Sequence, residues 1–371
     1  MTHTRATRST LASRLSAPRP PDRGARPQAR RREAMDLASV RGAATIEEVA
    51  ARAGVSRSTV SRVVNGSTAV SPSALESVRR AIDELQYVPN RAARSLASRQ
   101  TRAIALVIPE QTDRFFGDPF FASIVAGIGE VIGESDYIMN MLIASDDASA
   151  KALGYLRGGS VDGAIVASHH TSDTFLDRVA DVVPVVYGGR PARIRADDYY
   201  VDVDNVEGGR VATAYLLARG HRRVATVSGP SDMPAGIDRL LGFRNAMAAA
   251  GIEPAAVENG DFTEMGGALA MTRILSSGVV PEAVFVASDL MARGVYGVLR
   301  DNGLEPGRDV AVVGFDDSAV STAVTPALTT VRQPSLTQGR HMASVLLDIL
   351  AGRPAAHATI LPIEVVERAS A

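Results

Sequence analysis

The chain has 371 residues, enough for two or three domains, with 46% apolar residues and a formal net charge of −1. It has no cysteine, which excludes a disulfide framework and a thiolate metal site. No apolar run is long enough to span a bilayer and no apolar stretch precedes a cleavage site, so a soluble cytoplasmic protein without membrane contact is expected.

Basic residues crowd the first hundred positions, and acidic residues balance or exceed them later, which points one end of the chain at a polyanion. Residues 1–43 are rich in Arg, Pro, Ser and Ala without apolar periodicity, and read as a disordered basic tail. Met35 stands just before the first periodic segment, and the natural start is expected there. Residues 44–88 carry the pattern of a small helical domain. A helix is predicted over Ile46–Ala53, opened by a Thr45/Glu48 capping box and closed by Gly54. After a tight turn, Ser56 caps a second helix whose inner face is Val60, Val63 and Val64. Its outer face is Arg57, Ser58, Ser61 and Arg62. A third helix starts at Ser71-Pro72 and carries Leu75, Val78, Ile82 and Leu85 as its apolar stripe. Residues 89–101 form a linker containing Asn90–Ala97, helix-capable but too short to be stable alone.

From residue 102 onward, buried-strand patterns alternate with helical ones. Strands are predicted at Ala103–Ile108, Ile138–Ile143, Gly163–Ala167, Val183–Tyr187, Val224–Ser228, Ala283–Ala287 and Val310–Phe315. Helices are predicted at Phe121–Gly133, Gly208–Arg219, Arg239–Ala250, Gly266–Ser276 and Leu290–Asn302. That alternation implies parallel sheets covered on both faces, and seven strands suit two lobes better than one sheet. Such sheets bind ligands beyond the carboxyl ends of their strands, in a cleft between lobes.

Six motifs carry a resemblance. They are Val55-Ser-x-x-Thr-Val-Ser-Arg-Val-Val-Asn65, Tyr87-x-Pro-Asn-Arg91, Gly220-His-Arg-Arg-Val-Ala, Ala287-Ser-Asp-Leu-Met, Val313-Gly-Phe-Asp-Asp317 and Leu328-Thr-Thr-Val-Arg-Gln333. In this order, over about residues 45–368, they resemble the lactose/galactose-repressor (LacI/GalR) family. The resemblance implies an all-α helix-turn-helix headpiece, a hinge helix, and an α/β core of two parallel-sheet lobes like the periplasmic sugar-binding proteins. It also implies a homodimer that reads a palindromic double-stranded DNA operator and answers to a small-molecule effector. The chain stops soon after Arg368 without a leucine-heptad tail, so a dimer rather than a tetramer is expected.

By that resemblance Arg57, Ser58 and Arg62 face base edges in the major groove, where an arginine fork matches guanine. Thr45, Ser56, Thr59, Ser61 and Asn65 complete the DNA-facing set, the hydroxyls capping helices or touching phosphate. In the hinge, Leu96 is the residue implied to wedge into the minor groove, with Asn90 and Ala93 on the same segment. The effector set is implied to be Arg239, Asp316, Asp289, Phe262, Phe116, Asp118, Phe121 and His169. Phe262 is equally readable as a core phenylalanine. Where many relatives carry an acidic residue, this chain has Gly189 in Tyr187-Gly-Gly-Arg190, which leaves room in the pocket. That run and Gly229–Gly236 look like regulators of cellobiose and other β-glucosides, so a mono- or disaccharide is expected, acting as inducer. The alternatives are a sugar-binding protein without a DNA role and a corepressor-type regulator using a purine. An enzyme is not expected: no phosphate loop with its lysine, no metal-spaced histidines and no Ser/His/Asp set is present, and no cofactor is implied.

Overall fold

The computed structural model describes residues 44–64, 66–67, 69–88, 100–144 and 149–371. These divide at Asn90/Arg91 into two compact units.

The first unit is three helices, α1 (Ile46–Ala53), α2 (Arg57–Val64) and α3 (Pro72–Leu85). The capping box forms as the sequence requires: the Thr45 amide donates to Glu48 Oε2 at 2.7 Å, and the Glu48 amide donates to Thr45 Oγ1 at 3.2 Å. Gly54 ends α1 at φ 67°, a backbone that favours glycine. The Ser56 hydroxyl accepts from the Thr59 amide at 3.1 Å and so opens α2. Ser71 caps α3, with Pro72 in its first turn. Val49, Ala50, Val60, Val78, Ala81 and Tyr87 form the core of this unit. Tyr87, which the sequence places at the end of the third helix, belongs to that core.

The second unit holds two six-stranded sheets. The N-lobe sheet has the order β11-β5-β4-β3-β1-β2, and every pairing in it is parallel. Its strands are β1 (Ala103–Ile108), β2 (Ile138–Ile143), β3 (Gly163–Val166), β4 (Val185–Gly188), β5 (Tyr199–Val203) and β11 (Ala358–Leu361). The C-lobe sheet has the order β12-β10-β9-β8-β6-β7. Its strands are β6 (Val224–Ser228), β7 (Ala256–Asn259), β8 (Ala283–Val286), β9 (Ala311–Asp316), β10 (Thr329–Arg332) and β12 (Glu364–Val366), the last antiparallel. All seven expected strands are present within a residue or two. β5, β7, β10, β11 and β12 are additional.

The helices of the N-lobe are α4 (Thr112–Gly117), α5 (Pro119–Gly133), α6 (Ser149–Arg157), α7 (Thr174–Ala180) and α13 (Ser335–Leu350). Those of the C-lobe are α8 (Asn205–Ala218), α9 (Pro234–Ala249), α10 (Glu264–Ser276), α11 (Asp289–Asp301) and α12 (Ala319–Ala323). The five predicted helices are α5, α8, α9, α10 and α11, each starting one to five residues earlier than read.

The chain crosses between the lobes three times, after β5, after β10 and after β11. One apolar cluster continues across these crossovers, from Ile104, Val201 and Val203 to Phe285 and Phe315. Helix pairs are pressed together at reciprocal glycines. A Cβ on Gly209 of α8 would lie 2.1 Å from the Arg239 carbonyl oxygen, and one on Gly242 of α9 would lie 2.0 Å from that of Val206. This contact fixes α9, and with it Arg239, against the hinge side of the C-lobe. Among the described residues no helix is long and apolar enough to cross a membrane.

Candidate functional site: a two-lobed cleft and a helical DNA-facing surface

The carboxyl ends of both sheets open onto one cleft enclosing ≈ 660 Å³ of non-atom space, open solvent included. This is the position expected of a small-molecule site. Of the eight residues implied as effector contacts, Asp118, Phe121, His169, Arg239, Phe262 and Asp316 line it.

Arg239, on α9, is 5% exposed and sits at the centre of the C-lobe wall. Its Nε donates to Asn205 Oδ1 at 2.9 Å, its Nη1 to the Ala287 carbonyl at 2.7 Å and its Nη2 to Gln333 Oε1 at 2.8 Å. Nη1 also faces Asp316 Oδ1 at 3.5 Å. The guanidinium stacks on the Phe315 ring, 3.6 Å from its centroid. Burial pulls the Arg239 pKa down, and Asp316 and Asp202 oppose it. Asp316 is held well above the usual carboxylate range by burial, against the pull of Arg239. From Gln333 the polar chain continues to Gln338 and then to the Val201 carbonyl, at 3.1 and 2.8 Å. It therefore spans the lobes at the hinge.

Two lining residues, Phe262 and Asp316, have left-handed backbone at φ 65° and 114°. Such strain in non-glycine residues concentrates at binding sites. Phe262 belongs both to the C-lobe core and to the cleft wall, so the two sequence readings of it coincide. The Arg239 and Arg114 guanidinium carbons lie 5.6 and 5.7 Å from its ring centroid. Gly229 makes room for it: a Cβ there would lie 2.3 Å from Phe262 Cζ.

In the N-lobe wall, Asp118 caps α5 by accepting from the Phe120 amide at 2.9 Å, and burial raises its pKa. Asp202 accepts from the Arg190 amide at 2.8 Å and from Asn205 Nδ2 at 3.0 Å, and burial raises its pKa too. Gly189 lines the cleft at φ 101°, and a Cβ there would approach His169 Cε1 at 3.5 Å.

At the mouth, contacts join the lobes directly. The Thr171 amide donates to the Asp232 carbonyl at 2.7 Å, His170 Nδ1 lies 2.9 Å from Asp232 Oδ2, and Arg190 Nη2 donates to Asp238 Oδ2 at 2.6 Å. His170 also faces Glu110, and those two carboxylates, Glu110 first, push its pKa up to about 9 against burial. Burial would raise Glu110, but His170, Arg114 and Ser168 together hold it below the usual range.

Two expected effector contacts stand elsewhere. Phe116 is 69% exposed and outside the cleft lining, while its neighbour Phe120 does line it. The Asp118-Pro119 break between α4 and α5 turns the aromatic run, so Phe120 and Phe121 line the cleft and Phe116 does not. Asp289 is fully buried behind the wall. Its Oδ1 accepts from the Thr330 hydroxyl at 2.6 Å and its Oδ2 from the Ser318 amide at 2.8 Å. It buttresses the loop after β9, and burial pushes its pKa up to about 7. The sequence reading missed Arg114, Phe120, Arg190, Asp202, Asn205, Gln333 and Gln338. Asp202 had a signal, a lone acid inside an apolar strand; Arg114 on its six-residue helix had none. Among the described residues, no group of three or more His, Asp or Glu side chains is arranged to hold a metal ion.

In the helical unit, Arg57, Ser58 and Arg62 are exposed along α2. Arg57 Nε meets Glu47 Oε1 at 3.2 Å with both side chains in solvent, a pair worth only ~0–1 kcal/mol and easily exchanged for another partner. Thr45, Ser56 and Thr59 are engaged in caps and hydroxyl contacts, Ser56 Oγ lying 2.9 Å from Thr59 Oγ1. Ser61 is half-buried. Asn65, Asn90, Ala93 and Leu96 lie outside the described residues.

Comparison with known proteins agrees with this division. Residues 45–90 match the profile described as bacterial regulatory proteins, lacI family, and residues 213–371 that of a periplasmic binding protein-like domain. The chain is 46% identical over 313 residues to the HTH-type transcriptional regulator CelR of Thermobifida fusca, covering 83% of this chain and 92% of that protein. It superposes on a CelR–cellobiose complex with a TM-score of 0.70 at 43% identity, covering 88% of this chain and all of that one. It also superposes on the lac repressor dimer bound to operator and the anti-inducer ONPF, with a TM-score of 0.78 at 30% identity, covering 88% and 99%.

Proposed function

The chain belongs to the lacI family of bacterial regulatory proteins, and from that premise we propose that it is a homodimeric repressor whose cleft binds a small neutral sugar, cellobiose or another β-glucoside, and which leaves its operator when that sugar is bound. It is a DNA-binding transcriptional regulator and not an enzyme. The observation that carries the effector reading is the Arg239–Asp316–Phe262 constellation. A buried cation, a carboxyl and an aromatic face meet at the carboxyl ends of two sheets, and together they offer donors, acceptors and a stacking surface to a ring of hydroxyls. Similarity to the CelR–cellobiose complex supports the same class.

Control follows from linkage. Sugar that favours one lobe arrangement shifts the DNA-binding equilibrium by its differential affinity for the two states, typically ~1–3 kcal/mol. The core passes this on through residues 89–101, where Leu96 is assigned to the minor groove by the sequence resemblance and Asn90 and Ala93 accompany it. Leu96→Ala is expected to weaken specific binding more than nonspecific binding; equal losses in anisotropy titrations would remove the wedge. On α2, Arg57 and Arg62 are assigned to base edges. Arg57→Ala is expected to cost ~1–3 kcal/mol on the operator and relax preference at one base, while leaving stability unchanged.

The test is fluorescence anisotropy of the full chain on its own upstream intergenic DNA, at fixed salt, with and without cellobiose. Tight binding released by cellobiose is expected. Tight binding indifferent to cellobiose but released by another sugar or by a purine would keep the regulator and replace the effector. Tightening on addition would make it a corepressor.

A further inference from the structure

Two buried side-chain polar atoms among the described residues have no hydrogen-bond partner, Arg114 Nε and His169 Nδ1. A few such atoms scattered over a core would be unremarkable, and each calls for an explanation. Here both belong to residues that line the same cleft, and both are on its N-lobe wall. One is a donor. The other is fixed as an acceptor by its ring: His169 Nε2 lies 2.9 Å from the Arg190 carbonyl oxygen, which can only accept, so Nε2 carries the hydrogen. Burial lowers the His169 pKa and keeps the ring neutral, which leaves Nδ1 as a bare lone pair.

The rest of the Arg114 guanidinium is spoken for. Nη1 pairs with Glu110 Oε2 at 3.1 Å and Nη2 meets Met233 Sδ at 3.0 Å. Its charge is therefore paired inside the protein, and Nε is the guanidinium nitrogen left without a partner.

We propose that Arg114 Nε and His169 Nδ1 are the recognition pair of the N-lobe wall, and that they select a neutral polyhydroxyl ligand over its phosphorylated or carboxylated counterparts. This rests on the reading of the cleft as a sugar site. A hydroxyl group both donates and accepts, so a polyhydroxyl ligand has the chemistry to satisfy both atoms. A phosphate or carboxylate oxygen has no hydrogen for His169 Nδ1 and meets the Asp118 carboxyl on the same wall, while the cleft arginines Arg114, Arg190 and Arg239 already face the protein carboxyls Glu110, Asp238 and Asp316. Neither residue was assigned this chemistry by the sequence, and Arg114 was not a candidate at all.

Calorimetry of the full chain with cellobiose, cellobiose 6′-phosphate, cellobionate, ribose and hypoxanthine tests the pair. Wild type is expected to bind cellobiose and not its two anionic derivatives. His169→Phe keeps a ring in the wall but has no lone pair at the Nδ1 position, at the cost of the contact to the Arg190 carbonyl. Arg114→Lys keeps the charge for Glu110 but lacks the Nε–H. Each is expected to lose about tenfold in affinity. Monodeoxyfluoro cellobioses add a readout that a merely structural role would not move. Fluorine does not donate, so the analogue substituted at the hydroxyl facing His169 is weakened in wild type and no longer weakened further in His169→Phe. If wild type binds ribose and not cellobiose, the effector reading falls, while the pair stands if the two variants lose ribose. Unchanged affinity in both variants overturns the pair and leaves the effector reading intact. Preference for the phosphate, for cellobionate or for hypoxanthine, or no binding of any of the five, overturns it as well. Independently of ligand, ¹⁵N spectra of the imidazoles, with His169 assigned from His169→Phe, are expected to show an Nε2–H neutral ring; an Nδ1–H ring would sink the proposal.

Discussion

Arg239 and Arg114 stand beside the same Phe262 ring, one rising from the C-lobe and one from the N-lobe, and they are held in opposite ways. Arg239 has each of its three nitrogens bonded to a protein oxygen. Arg114 and its neighbour His169 each keep one polar atom open. The Arg239 guanidinium on the C-lobe wall is fully engaged, whereas the N-lobe wall keeps two polar atoms without a partner. Rigid placement of one half of a site lets binding energy go into moving the other half.

The sharpest way to break this contrast is to remove each cation. Arg239→Met leaves Asp316, Asn205 and Gln333 buried without their partner and is expected to cost ~3–5 kcal/mol in urea unfolding, with loss of effector response. Arg114→Met is expected to cost less than half as much, because Glu110 keeps Ser168 at 2.7 Å and His170 at 3.4 Å. Equal costs would mean that both walls are structural. Next in size is Gly242→Ala, which forces a methyl against the Val206 carbonyl and moves α9, the carrier of Arg239. A loss of ~1–3 kcal/mol is expected, with weaker effector binding even where the protein remains folded. Sugar affinity untouched by this change would detach the C-lobe network from recognition.

The smallest effect concerns the mouth. Glu110 and Asp232 raise His170 to about 9, above its ordinary 6.5, so the folded protein holds that proton more tightly than the unfolded chain. The stabilisation is complete below about pH 6.5 and is lost as pH rises through about 9. Solvent at the mouth screens the cluster, so ~1 kcal/mol is expected, seen as about 2–4 °C in Tm. Thermal melts of wild type and His170→Gln between pH 6 and 10 should converge at the alkaline end; a constant gap would assign His170 to packing alone.

The central strands and the large helices were readable because both faces are buried and leave continuous apolar runs, as in β1 with every residue buried. The outer elements lack that signature. β7 and β11 have at most one buried position each, and β5 carries Asp202 in mid-strand. α13 went unread because its first half is Ser-Leu-Thr-Gln-Gly-Arg-His and its start has no side-chain cap. Gly339, poor for a helix, is needed there: a Cβ would lie 2.3 Å from the Ile124 carbonyl oxygen of α5. In the cleft, Arg239 and Asp316 were legible only through the family resemblance of the motifs that contain them, Asp238-Arg-Leu-Leu-Gly-Phe and Gly314-Phe-Asp-Asp. Gln333, Gln338 and Asn205 were not, because single uncharged amides in a linker or a first helical turn give no pattern until the fold brings them together.

The three crossings between the lobes also set an order of events during synthesis. The helical unit, residues 44–88, has its whole core within its own stretch of chain and is free to fold as soon as it emerges. The N-lobe begins at β1 but lacks the helix that packs on α5 and the strand beside β5 until residues 335–361 have been made. The part of the molecule that senses the sugar is thus the last to exist, and an interrupted translation product would carry a reading head with no means of being told to let go.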